Sequence, residues 1–263
     1  MLFRSNSSLS KPNHPLIFWL LLLPATLWLL VFFLLPLALV LLSSFMTQDL
    51  GGGILWQITL ANYQRLVQGL YLSIIGRSLG LGLLSTLACL LLGYPLAFFL
   101  AKQPHPWRNA LLLLVIIPFW TNFLVRTYAW IILLREEGII NTFLTSLHII
   151  EQPLTLLFTP LAVAIGLIYG YLPFMVLPIY SSLERFDFSL VEAARDLGAN
   201  ELQVFWRVIF PLTLRGTMAG CLLVFIPAVS AFITPDILGG AKTIMVGNLI
   251  QNQFLKSVLQ NKG

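Results

Sequence analysis

The stretch Ser-Leu-Val-Glu-Ala-Ala-Arg-Asp-Leu-Gly-Ala-Asn-Glu-Leu-Gln-Val-Phe-Trp-Arg-Val-Ile-Phe-Pro-Leu, residues 189–212, decides how this chain is read. Ser189 and Glu192 have the spacing of a capping box, which opens a short helix. Gly198 suits the left-handed conformation that closes it. Asn200 and Gln203 repeat the capping pattern and open a second helix, which Pro211 is expected to limit. Ala193 and Ala194 keep the first helix slender enough for a groove on a partner protein, with Glu192, Arg195 and Asp196 as charges at its rim. The sequence therefore predicts two short helices joined by a glycine turn.

On both sides of this stretch the sequence turns apolar. The 263 residues are 58% hydrophobic and 10% charged, and the mean hydropathy is +0.90. A soluble domain carries about 25% charged residues, so a water-soluble globular enzyme is excluded. Cys89 and Cys221 both fall inside apolar stretches and offer neither a disulfide framework nor metal-ligand spacing. The formal net charge of +5 suits anionic lipid head groups as well as it suits any nucleic acid; the long apolar stretches make membrane lipid, and no nucleic acid, the expected surrounding.

A hydrocarbon core of about 30 Å is crossed by roughly 20 apolar residues of helix. Five stretches qualify: 16–46, 78–101, 109–134 with Arg126 inside, one within 152–183 and one within 216–235. Backbone donors in lipid must be paired internally, and no period-two alternation appears, so these are helices and not barrel strands. The first is too long for the core of a cleavable signal and reads as a retained span. With the N-terminus inside, the cytoplasmic side holds Arg4, Lys11, Lys102, Arg108, Arg185, Arg195, Arg207 and Arg215. The outer side then holds Arg65, Arg77, Arg126, Arg135, Lys242, Lys256 and Lys262, the last three in the final tail. That distribution predicts a cytoplasmic N-terminal tail over 1–15 and a transmembrane domain over 16–263.

Gly76–Gly80, Gly166–Gly170 and Gly216–Gly220 have the spacing that lets helix backbones approach closely. Pro95, Pro118, Pro173, Pro178 and Pro227 lie in or at the ends of spans, where proline bends a helix and frees carbonyls. Arg126 is expected to snorkel to the outer head groups or to pair with Glu136 or Glu137.

Glu192-Ala193-Ala194, Gly198 and Ile209-Phe210-Pro211-Leu212 closely resemble the EAA loop of ABC importer permeases. Further motifs resemble the spermidine/putrescine (PotB-type) branch: Asn62-Tyr63, residues 92–97, residues 118–122, Arg126-Thr127-Tyr128, residues 172–175, residues 180–184 and residues 239–242. The resemblance spans roughly 60–250. It implies an all-α integral membrane protein, a type I, MetI-like helical bundle. It also implies that the loop, 184–211, couples the chain to an ABC ATPase subunit dimer through Glu192, Ala193, Ala194, Arg195, Asp196, Gly198 and Pro211. A second permease subunit and an extracytoplasmic (periplasmic) substrate-binding protein would complete the assembly in the inner membrane. The chain has no Walker-type G-x-x-x-x-G-K-[ST] motif, so ATP is expected on the partner, with no cofactor and no catalysis here.

A polyamine is a slim polycation, and its path should offer aromatic faces and a few acceptors. Candidates are Trp120, Tyr128, Tyr169, Tyr171 and Phe232, with Asn122 and Asp236 as acceptors; Asp236 leads because it directly follows the fifth stretch. The family pattern has six spans, and here five are visible. Residues 243–255 are free of charge but too short to cross and are interrupted by Asn248, Gln251, Asn252 and Gln253. The expectation is either a truncated permease or a last helix supplied by a separate chain. Alternatives are a related permease for iron, thiamine or sulfate, an ion-driven secondary transporter, a membrane enzyme, and an inactive truncated permease. No mid-span carboxylate supports the secondary transporter. No His/Asp/Glu cluster supports an enzyme, since His14, His105 and His148 fall in or beside loops.

Overall fold

A computed structural model describes residues 15–48, 54–67 and 69–260. The expected N-terminal tail lies, but for Pro15, outside the described residues. The chain forms two compact units, one ending at Val67 and the other covering Gln68–Leu259.

In the first unit, α1 (Pro15–Leu29), a π turn at Leu30–Leu34 and α2 (Leu35–Ser44) run on as one apolar rod. Its Leu22–Ser44 portion is long and apolar enough to cross a membrane, and none of its apolar window is buried within the chain. Two antiparallel strands follow, β1 (Met46–Gln48) and β2 (Ile54–Ile58), with Met46 opposite Ile58 and a bulge after it. An all-helical reading did not anticipate this ribbon, whose sequence signal is the glycine run at 51–53. Then comes α3 (Ala61–Leu66). The Asn62-Tyr63 motif ties these pieces together. Asn62 Nδ2 donates to the carbonyls of Ser44 and Met46 at 3.0 and 2.9 Å. The Tyr63 hydroxyl lies 2.8 Å from Ser44 Oγ.

The second unit is built on three long helices packed against one another: α4 (Gly69–Lys102), α8 (Pro160–Glu184) and α11 (Phe210–Ser230). Each qualifies as a span; α11 does so together with the helical residues before it, from Glu201. Glycine sets how closely they meet. A Cβ on Gly216 would lie 2.5 Å from the Pro178 carbonyl oxygen, and one on Gly220 3.1 Å from that of Met175, so α11 and α8 touch backbone to backbone. Gly166 likewise faces Thr234 and Leu238, whereas Gly76, Gly80 and Gly170 meet nothing. Of the three glycine pairs, only the last works as a pair.

Four hydroxyls inside the bundle satisfy themselves on their own helix, whereas that of Ser85 is buried without a partner among the described residues. Ser78, Thr86, Thr213 and Thr217 each donate to the carbonyl four residues back, at 2.7 to 3.1 Å. One core gathers Cys89, Leu100, Met175, Ile179 and Leu183 toward one end; another gathers Leu81, Leu134, Ala162, Leu167 and Leu238 toward the other.

The stretch 109–134, read as one span, is broken. It consists of α5 (His105–Trp120) and α6 (Phe123–Leu134), the latter continuing to α7 (Ile139–Ser146), and the two parts meet at 89°. Pro118 weakens the last turn of α5, and Asn122 then starts a new helix by accepting the Leu124 N–H at 2.8 Å. The corner also explains Arg126, which reaches neither Glu136 nor Glu137. Its Nη1 donates to the Pro118 carbonyl at 3.0 Å, and its guanidinium lies 5.6 to 5.8 Å from the rings of Phe119, Phe123 and Tyr169.

The segment after α6 is held by Asn141, 1% exposed. It donates to the carbonyls of Arg135 and Leu154 and accepts the Leu154 N–H, at 2.9 to 3.1 Å. Leucine at 141 would leave the Leu154 N–H unpaired, at about 1–3 kcal/mol, while the Arg135 and Leu154 carbonyls would keep only the Gly138 and Leu156 N–H groups. Asn141→Leu should therefore speed proteolytic nicking of 147–159 without changing the helical content. Unchanged nicking would show that this amide does not hold the segment.

Candidate coupling hairpin and polar end cavity

The quoted stretch forms α9 (Ser189–Asp196), a turn, and α10 (Glu201–Val204). The second capping box is present: Asn200 Oδ1 accepts the Gln203 N–H at 2.8 Å and Gln203 Oε1 accepts the Asn200 N–H at 3.1 Å. The first is not. Phe188 occupies the cap position, and Asp187, not Ser189, supplies the acceptor, taking the Ser189 N–H at 2.9 Å. The Ser189 backbone N–H and hydroxyl hold the Asp187 carboxyl below the usual carboxylate range. Gly198 has φ +84°, as the turn requires.

Pro211 does not end the second helix. α10 passes through a π turn at Phe205–Ile209 into α11, and Pro211 sits in the first turn of α11. There the wider turn lets the Phe210 N–H reach the Phe205 carbonyl, and proline's missing donor is absorbed. The hairpin is thus continuous with a span, and only α9 is a separate short helix.

Two faces result. Inward, Val191, Val204 and Ile209 are buried among Leu100, Ile179 and Leu183, so hairpin and bundle share one core. Outward, Glu192, Ala193, Arg195, Asp196 and Gly198 are exposed and Ala194 is half-buried. Leu197 stands 89% exposed at the tip, an apolar group with no partner inside the described residues. Arg195 and Glu201 form a two-pronged ion pair at 2.8 and 3.0 Å that clips the hairpin shut. Glu201 holds the Arg195 guanidinium above its ordinary range. Leu197 and Glu201 escaped the sequence reading. The signal for Leu197 was an apolar residue beside a turn glycine; for Glu201 it was opposite charge across that turn. A cavity of about 410 Å³ lies under α9, lined by Lys102, Glu192, Arg195 and Glu201 over Phe98 and Ile209.

At the base of the hairpin, Arg108 pairs with Glu184 at 3.3 Å, and the Tyr180 hydroxyl donates to the same carboxylate oxygen at 2.9 Å. The Tyr180 and Glu184 of the quoted motif thereby lock α8 to α5.

The expected pathway residues do not converge. Trp120 and Tyr128 are 77% and 57% exposed, and neither makes a ring contact among the described residues. Asn122 serves the corner, Tyr169 stacks edge-on with Trp130 at 5.5 Å, and the Tyr171 hydroxyl donates to the Pro227 carbonyl at 3.3 Å. The fifth span ends at Ser230 and not near Pro235, so Asp236 does not directly follow it. Phe232 lies in the break, and Asp236 sits on a π turn, Pro235–Gly239. The Gly239-Gly240 motif follows: Gly240 has φ +55° and lies under the Phe158 ring, with Gly239 against Val163. Beyond it α12 (Val246–Gln260) begins, too short for a span. Asn248 anchors it, donating to the Phe232 carbonyl at 2.7 Å. Asp236, Thr243, Asn248 and Asn252 line a cavity of about 330 Å³ there.

Residues 93–259 match the family model described as binding-protein-dependent transport system inner membrane component. The chain is 51% identical to the spermidine/putrescine transport system permease protein PotB of Escherichia coli K12 over 228 residues, 87% of this chain and 83% of that one. It is 48% identical to PotB of Haemophilus influenzae, over 88% of this chain and 80% of that one. The crystal structure of a bacterial ABC transporter involved in alginate import superposes with a TM-score of 0.72 at 17% identity, covering 94% of this chain and 86% of that one. That likeness establishes the fold. Half of all positions are shared across most of two chains, and the bundle is the one such importers use. The chain belongs to the binding-protein-dependent transport inner membrane components, as a multi-pass permease of the PotB type and not an enzyme.

Proposed function

We propose that this chain is the membrane-spanning subunit of an ATP-driven importer of polyamines, spermidine or putrescine. The observation that carries the reading is the 51% identity to a spermidine/putrescine permease over most of both chains. In this reading residues 16–263 form the permease domain, the N-terminus is cytoplasmic and the EAA loop, 184–211, faces the cytosol. Its contact surface for an ABC ATPase dimer is Glu192, Ala193, Ala194, Arg195, Asp196 and Gly198, with Leu197 as an apolar anchor and Pro211 at the root. A second permease subunit and an extracytoplasmic binding protein complete the assembly, and nucleotide belongs to the ATPase.

The shared core beneath the hairpin supports mechanical coupling. Interiors are close-packed and transmit displacement without absorbing it, so a push on α9 moves α4 and α8 through Val191, Val204 and Ile209. Trp120, Asn122, Tyr128, Tyr171, Phe232 and Asp236 are assigned to the path of the polycation, the exposed rings by cation–π attraction. The test is uptake of radiolabelled spermidine and putrescine by the reconstituted assembly in cells lacking other carriers. ATP-dependent accumulation is expected. No uptake of either polyamine, in an assembly that hydrolyses ATP, would overturn the cargo.

A further inference from the structure

The cavity of about 330 Å³ at the end of the bundle away from the hairpin has a definite chemistry. Its size falls at the small end of ligand pockets. Asp236, exposed, is the one ionised group in its lining. Asn248 is already engaged, since Oδ1 accepts the Met245 N–H and Nδ2 donates to Phe232. Asn252, one helical turn further along the same face of α12, is exposed, and its side chain makes no hydrogen bond among the described residues. Thr243 is 1% exposed, and its Oγ1 is buried with no partner. Buried hydroxyls are ordinarily paired, so this one marks an unfilled acceptor. It is sealed in this conformation, in a residue that lines the cavity.

A carboxylate, a hydroxyl and an amide carbonyl are three acceptors, and a primary ammonium carries three donors. An anion would meet Asp236 and be repelled. We propose that this cavity is a weak subsite for the terminal primary ammonium of an alkyl polyamine, held by Asp236, Thr243 and Asn252. The inference rests on the import reading and gives Asp236 two companions. Two cations stand near. Arg77 Nη1 donates to the Lys242 carbonyl at 3.1 Å, and neither side chain lines the cavity. Their positive field weakens retention of a polycation, as a conduit needs, because a site must release what it binds.

The test is protection of a cysteine. Ala241 lines the cavity and is exposed. Ala241→Cys, with Cys89 and Cys221 replaced by alanine, is reacted with a neutral thiol reagent in the complete assembly. Spermidine should slow the reaction at least about threefold, the protection expected at twice its dissociation constant. Sodium chloride of equal ionic strength should not. Asp236→Asn should abolish the protection and Thr243→Val should weaken it; the valine replaces an unpaired hydroxyl with a methyl group of similar size, and the helical content of the variant is measured alongside. No protection, equal protection by salt, or protection that survives Asp236→Asn would overturn the subsite. Uptake is measured in the same membranes. Uptake without protection sinks the subsite alone, whereas an assembly that transports no polyamine sinks the cargo reading.

Discussion

Gly216→Leu should eliminate the folded permease. A Cβ at this position meets the Pro178 carbonyl oxygen at 2.5 Å and Ser182 Cβ at 2.8 Å, and the backbone of α8 cannot turn aside as a side chain could. Overpacking of this kind costs about 3 kcal/mol or more, a large fraction of a domain's stability. Gly76→Leu is the matched control, because nothing lies within 4 Å of a Cβ there. In detergent, Gly216→Leu should leave little or no monodisperse protein on size exclusion, and Gly76→Leu should run like the parent. Equal yields from both would refute the close approach of α8 and α11.

The second large effect concerns the hairpin. Leu197→Asp and Glu192→Lys alter exposed side chains, so helical content and membrane insertion should be unchanged. If α9 docks on an ATPase, reversing one charge or placing a carboxylate at an apolar anchor should cost about 2 kcal/mol, roughly thirtyfold in affinity. Co-purification of the ATPase should then fail, and uptake should fall at least tenfold. Gly198→Val strains the turn itself, at φ +84°, and should reproduce the phenotype. Wild-type co-purification and uptake from Leu197→Asp together with Glu192→Lys would show that the partner seats elsewhere.

Spans were legible because lipid imposes a one-dimensional code. An uninterrupted apolar run of the right length has one solution, a helix. The capping box at Asn200 and the glycine turn at Gly198 were legible for a related reason, since their physics is local. The sequence failed where a competing local partner won. Asp187 took the cap that Ser189 seemed to offer, and a π turn absorbed Pro211. It failed too where partners are distant in sequence. The corner at 121–122 was written in Pro118 and Asn122, yet a bent span and a kinked one share that spelling. The contact of Arg126 with Tyr169 was hidden because the two are not neighbours along the chain. The four polar residues of the end cavity come from a turn and a helix that only the fold brings together. Asn248 and Asn252 were visible beforehand merely as interruptions of an apolar run. Their spacing of four was the unread clue that they share a face.

The right-angle corner has a consequence for biogenesis. As α5 and α6 leave the ribosome, the Arg126 guanidinium can already find the Pro118 carbonyl and the Phe119 and Phe123 rings, but Tyr169 has not yet been made. The elbow therefore gains its last ring only when α8 arrives. A nascent chain halted before residue 169 should lack the Arg126–Tyr169 contact while keeping the Pro118, Phe119 and Phe123 contacts.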